Sequence, residues 1–137
     1  MKEDLPENLV EDISIAVVLE SETPTDKSWS VYLVNEKDVI LKNVFISSKG
    51  YGKKDGREVK TTALRHFIGD VEALNCVKIE LIDPQVFGLT NEYWLSYYIG
   101  ATIYDKKYIF LPESIVDENL IKVPVVNKPG IVIGGTK

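Results

Sequence analysis

Tyr93-Trp94-Leu95-Ser96-Tyr97-Tyr98-Ile99-Gly100-Ala101-Thr102-Ile103 decides how this chain folds, because it holds a strand, a turn and the start of a returning strand. Tyr93, Leu95, Tyr97 and Ile99 alternate with Trp94, Ser96 and Tyr98, the period of two that sends successive side chains to opposite faces of a sheet. Gly100-Ala101 reverses the chain, and residues 103–111 return until Pro112 stops them. Strands joined this tightly pair antiparallel.

The same period recurs toward the N-terminus. Ile13, Ile15, Val17 and Leu19 share one face of a strand, with Ser14, Ala16 and Glu20 opposite, and Trp29, Val31 and Leu33 repeat the pattern in a second. Asn35-Glu36-Lys37-Asp38 is turn chemistry, after which 39–48 reads as a third strand whose alternation changes phase at Asn43. Asp55-Gly56, flanked by Tyr51 and Arg57, predicts a primed hairpin turn, since both residues accept positive φ. Residues 61–71 fit either a strand or a short helix. Val77, Ile79 and Leu81 then alternate against Lys78 and Glu80. Near the C-terminus, Ser114-Ile115-Val116-Asp117 resembles a capping box, followed by short apolar pieces at 121–126 and 131–133.

Composition agrees with these strands. The 137 residues are 45% hydrophobic, enough for one domain with a real core, and 16 valines and 14 isoleucines stand against four alanines. We expect an all-β, immunoglobulin-like antiparallel β-sandwich of seven or eight strands with at most one short helix. It should occupy 10–133 as a single domain, between a flexible acidic N-terminus at 1–9 and a flexible tail at 134–137. The immunoglobulin likeness rests on Val34-Asn35 followed by Leu41-Lys42-Asn43-Val44, a core strand that ends in Asn, turns and re-enters with Leu-x-x-Val. No cysteine pair accompanies it, so the likeness is one of architecture.

Several function classes are excluded. Sixteen Lys and Arg against 21 Asp and Glu give a net charge of -5, which opposes sequence-independent nucleic-acid binding. Cys76 stands alone, so no internal disulfide forms, and with His66 as the one histidine no Cys/His zinc cage can be built. No Asp-x-Asp-x-Asp loop or His-Glu-x-x-His pair occurs, and Gly50-x-Gly52-Lys53-Lys54 lacks the spacing and the Ser or Thr of a phosphate-binding loop. We therefore expect no metal and no cofactor. The first eight residues are too acidic for a signal peptide, and no apolar run approaches the ~20 residues of a membrane span. The expectation is a cytoplasmic protein with no membrane contact.

His66 has neither a nucleophile nor an orienting carboxylate at a recognisable spacing, and Cys76 borders an apolar strand, so both read as structural and no catalytic residue is assigned. Binding chemistry gathers in two segments. Lys49-Gly50-Tyr51-Gly52-Lys53-Lys54-Asp55-Gly56-Arg57 is a cationic tip on an acidic body, where Tyr51 could stack on a base or meet an acidic partner surface while Lys49, Lys53, Lys54 and Arg57 orient it. The plainer alternative is a solvated turn whose lysines guard a sheet edge. In the aromatic hairpin, Trp94 and Tyr98 face outward if Tyr93, Leu95 and Tyr97 enter the core. The opposite assignment buries Trp94, and it is the one we favour, because large aromatics anchor small sandwiches. These residues describe a non-catalytic protein-interaction domain with an unidentified protein partner. An alternative is a small-ligand or carbohydrate-binding module stacking on Trp94, Tyr98 and Tyr104. An enzyme using Arg65-His66, with a carboxylate brought near by folding, is a further reading.

Ser28-Trp29-Ser30-Val31-Tyr32-Leu33, Lys49-Gly50-Tyr51-Gly52, Leu64-Arg65-His66-Phe67, Val86-Phe87-Gly88-Leu89-x-Asn91-Glu92-Tyr93-Trp94 and Tyr104-Asp105-Lys106-Lys107 together resemble a family of small acidic uncharacterised bacterial proteins. The likeness covers 13–133. Members are sometimes labelled phenylalanyl-tRNA synthetase subunits, so the resemblance implies an association with tRNA synthetase function. A class II catalytic core carries an Arg-x-Glu motif and a Gly-rich strand ending in Arg. Here Arg57-Glu58 lacks the spacer, and Gly130, Gly134 and Gly135 are followed by no arginine, so no catalytic residue is carried over.

Overall fold

Alternating sequence becomes ten strands in the computed structural model, which describes residues 8–134. They are β1 (Ile13–Glu22), β2 (Lys27–Asn35), β3 (Leu41–Lys54), β4 (Arg57–Lys60), β5 (Leu64–Val71), β6 (Asn75–Leu81), β7 (Thr90–Ile99), β8 (Thr102–Phe110), β9 (Ile121–Lys122) and β10 (Pro129–Gly134). The flexible ends expected at 1–9 and 134–137 fall, at 1–7 and 135–137, outside the described residues.

One sheet runs β6-β2-β1-β10-β9, and the other runs β4-β3-β7-β8 with β5 also paired to β3. Every pairing is antiparallel. The protein is thus the expected all-β sandwich, with ten strands rather than seven or eight. Helical backbone among the described residues is limited to 3-10 turns such as Pro84–Val86 and Asp117–Asn119. Ser114 caps neither of them, because its Oγ donates to the Leu111 carbonyl at 2.7 Å.

The core lies between the sheets. Ile13, Ile15, Val17, Val31 and Leu33 from the first meet Ile46, Leu95, Tyr97, Tyr108 and Phe110 from the second, and each fully buried Ile or Leu contributes about 1.5–3 kcal/mol. β1 is also buried on its other face, where Ala16 and Val18 join Val34 and Val123 in a smaller apolar cluster. Cys76 packs against that cluster, and burial pushes its thiol pKa up.

The local signals hold. Asp55 and Gly56 have φ of 55° and 79°, the left-handed pair a primed turn requires, with Lys54 opposite Arg57. Asn43 has φ 51° and sits in the register shift between Leu41 and Val44. The ambiguous 61–71 segment supplies β5. Its fate is decided by β3, which pairs β4 through 51–54 and offers 41–48 to a further strand on the same side.

One strand departs from its alternation. Val31 opposes Glu80 while Tyr32 opposes Lys78, so Ile79 is an extra residue in β6 and the phase inverts beyond it. Glu80 therefore turns toward the sandwich interior, and Leu81, in phase with Val77 and Ile79 along the sequence, is 76% exposed.

Candidate functional site

Cross-strand register builds the outer face of the β5-β3-β7-β8 sheet one row at a time. Lys49 lies opposite Glu92, and Glu92 opposite Ile109. The next row runs Arg65, Ser47, Trp94, Lys107, and the one after it Phe67, Phe45, Ser96, Asp105. Tyr98, opposite Lys42 and Ile103, completes the face. Directly opposed residues share a face, so Tyr93, Leu95 and Tyr97 take the inner side, where all three are buried.

Trp94 is therefore outside, 43% exposed, contrary to the burial favoured above. The core has already placed an indole. Trp29 fills it from β2 and meets Phe87 edge to face at 5.3 Å. Tyr108, on the inner side of the second sheet, finds a polar partner across the sandwich, donating to the Ile13 carbonyl at 2.8 Å. Phe67, 70% exposed, is an aromatic of this face that the sequence reading left out. Reading 64–67 as a strand with His66 inward would have found it.

Charge is woven through the aromatics. Lys107 Nζ lies 5.3 Å from the centre of the Trp94 ring, and Lys49 Nζ 5.9 Å from that of Tyr51. The Tyr51 hydroxyl donates to Glu92 Oε1 at 3.1 Å, and that bond pushes its pKa up. Lys49 Nζ is 3.8 Å from Glu92 Oε2. A groove of about 690 Å³ opens along Lys49, Tyr51, Lys53 and Lys60, with the carboxylates of Glu58 and Glu92 also in its lining. It continues into a crevice of about 210 Å³ that shares Lys49, Ala63 and Glu92 and reaches Arg65 and Trp94. Two segments read separately in the sequence thus meet on one surface. Lys54 and Arg57 stand at the hairpin tip and line neither hollow. Tyr104 lies on the inner side, stacked on Tyr97 at 5.2 Å and 8°, so it cannot share a platform with Trp94. Among the described residues Lys53, Lys60 and Arg65 have no ion-pair partner.

A second polar cluster sits at the sandwich edge, and its hub, Glu80, was not singled out in the sequence. Oε1 lies 2.7 Å from His66 Nε2 and accepts from Ser48 Oγ at 3.0 Å, while Oε2 accepts from the Tyr93 hydroxyl at 3.1 Å. Folding brings His66 its carboxylate through the β6 bulge. The Ser48 hydroxyl, however, bonds the carboxylate and not the imidazole, so the order of a nucleophile, base and orienting acid is not formed. Arg65 points to the opposite face from His66. What the cluster does is fasten β3, β5 and β7 of one sheet to β6 of the other.

Among the described residues, no group of three or more His, Cys, Asp or Glu is placed to hold a metal ion. No helix among them is long and apolar enough to cross a membrane. No protein-family model, curated protein or solved structure matches this chain.

Proposed function

We propose that this domain is a non-catalytic protein-interaction module of the cytoplasm, whose contact surface is the outer face of the β5-β3-β7-β8 sheet and whose partner presents an acidic surface. One observation carries the reading. Phe67, Trp94 and Tyr98 are exposed together on the face whose groove and crevice hold Lys53, Lys60 and Arg65. Single apolar side chains are ordinary on a surface, whereas several exposed aromatics on one sheet face, interspersed with charge, have the composition of contact sites. The cations would steer an anionic surface into place. The His66 geometry supports the non-catalytic part, since its imidazole is held by a carboxylate that also takes two hydroxyl bonds.

Affinity capture from the native cytosol tests this with two variants. The wild-type chain and Lys54→Ala should retain the same stoichiometric partner. Phe67→Ala/Trp94→Ala should bind it at least about tenfold more weakly, as truncating central aromatic anchors costs about 2 kcal/mol or more. Equal capture by the double variant would contradict the assignment. The groove volume also favours a second reading, a small-ligand or carbohydrate module, because about 300–1,000 Å³ is the usual size of ligand pockets. A saturable change in Trp fluorescence on titration with oligosaccharides, abolished by Trp94→Phe, would favour that reading.

A further inference from the structure

Among the described residues β8 ends its sheet, pairing with β7 alone. The tight turn sets Ile99 opposite Thr102, which gives the even-numbered residues of β8 the main-chain bonds to β7 and leaves those of Ile103, Asp105, Lys107 and Ile109 pointing away. The Ile103 carbonyl shows the consequence, accepting a bond from Asn8 Nδ2 at 2.9 Å, a bond that the pairing proposed below replaces with one from the main chain of the second copy. The side chains of these four residues share the outer face, and Asp105 has no ion-pair partner among the described residues.

Read along the strand, the four are apolar, acidic, basic, apolar. We propose that β8 pairs antiparallel with β8 of a second copy about a two-fold axis at Lys106, joining two sheets into one. In that register Ile103 meets Ile109 and Asp105 meets Lys107 of the second copy, and each pair occurs twice. The opposed residues are those whose main-chain groups point outward, so they exchange ladder bonds as an antiparallel pair requires. Sliding by two residues sets Asp105 against its own copy, or Lys107 against its own. Sliding by one opposes outward to inward groups. Lys106 faces its copy on the other side of the ribbon, and its Nζ is drawn away, 5.0 Å from the Tyr108 ring centre. Ile103 and Ile109, both exposed, are the apolar area such a pairing covers. The two contact faces then lie side by side.

Sedimentation velocity over a concentration series from micromolar to millimolar tests the pairing. Wild type should form a reversible dimer. Asp105→Lys and Lys107→Asp should each weaken it about tenfold, from two lost cross-strand ion pairs and two like-charge contacts. The double variant Asp105→Lys/Lys107→Asp restores opposite charges and should dimerise again. Far-UV circular dichroism checks that each variant is folded, and Phe67→Ala, on β5 at the far side of the sheet, should dimerise as wild type does, which separates this edge from the contact face. A chain that sediments as a monomer throughout overturns the pairing and leaves Lys106 and Lys107 as guards of the edge. Dimerisation of Asp105→Lys at wild-type strength, or a double variant that stays monomeric, overturns it equally.

Discussion

Three tyrosines share the core and differ in what their hydroxyls touch. Tyr93 donates to Glu80 and Tyr108 to the Ile13 carbonyl, while the Tyr97 hydroxyl is buried with no hydrogen-bond partner among the described residues. Burial pushes the pKa of each far above the usual phenol value. Removing a satisfied hydroxyl strands its acceptor at a cost of about 1–3 kcal/mol, whereas removing an orphan relieves a desolvated group. Urea unfolding should therefore find Tyr93→Phe and Tyr108→Phe destabilised by about that amount and Tyr97→Phe unchanged or slightly stabilised. An equal cost at all three sites would refute this account of the core. Glu20 gives the pH counterpart. Burial raises its pKa, but bonds from Lys128 at 2.7 Å and Tyr32 at 2.6 Å, with Lys78 at 2.9 Å, prevail and hold it at about 2. A carboxylate lowered in the folded state adds stability that is complete above about pH 4.5 and is lost as pH falls to about 2. With both lysines half-exposed, the contribution is on the order of 1 kcal/mol. Unfolding free energy should fall across that window in wild type and less steeply in Glu20→Gln. None of these partnerships is legible in the sequence, because each joins residues whose strands meet only after folding.

At the scale of the element, what the sequence disclosed was local. Asp55-Gly56 announces its turn because the backbone conformation is a property of those two residues, and Asn43 marks its bulge for the same reason. The β6 bulge is different. Its extra residue, Ile79, is defined by what β2 opposes to it, so the smooth alternation grouped Leu81 with Val77 and Glu80 with Lys78. The aromatic hairpin shows a third case: alternation divided Tyr93, Leu95 and Tyr97 correctly from Trp94 and Tyr98 but could not say which set the core takes. Packing decided that, with Tyr93, Leu95 and Tyr97 in the core beside Trp29. Close strand approach is likewise invisible until the sheet forms. A Cβ on Gly130, opposite Val18 in β1, would stand 2.6 Å from the Val17 carbonyl oxygen and 2.8 Å from Val123 Cγ2. Gly130→Ala should cost about 1–3 kcal/mol through overpacking, read as a lowered melting temperature, and an unchanged melting curve would mean that β10 is held less tightly than these distances require.

For the molecule as a whole, net acidity and a local cationic groove belong together. A body at -5 repels anionic surfaces except where Lys53, Lys60 and Arg65 gather, so approach is oriented before contact is made. Of the residues on this proposed face, the sequence singles out Lys49, Tyr51, Lys53, Trp94 and Tyr98, although burial was the expectation for Trp94. Lys60 lies opposite Tyr51 across the Asp55-Gly56 hairpin, whereas Arg65 and Phe67 come from β5, whose place beside β3 is set by tertiary pairing, and Lys54 and Arg57 stand apart from the groove. Charge reversal and truncation should separate the two kinds of contribution. With the captured partner, Lys53→Glu/Lys60→Glu should slow association at low salt and matter little near 1 M, where the screening length is about 3 Å. Trp94→Ala should speed dissociation at both. The most direct test of the central claim is hydroxyl-radical footprinting of the free chain and of the chain in its captured complex, because the radical reads aromatic side chains one by one. The account predicts that Phe67, Trp94 and Tyr98 are oxidised in the free chain and protected in the complex, while Leu81 on the other sheet stays reactive. Protection of Leu81 with Phe67, Trp94 and Tyr98 still reactive would contradict it.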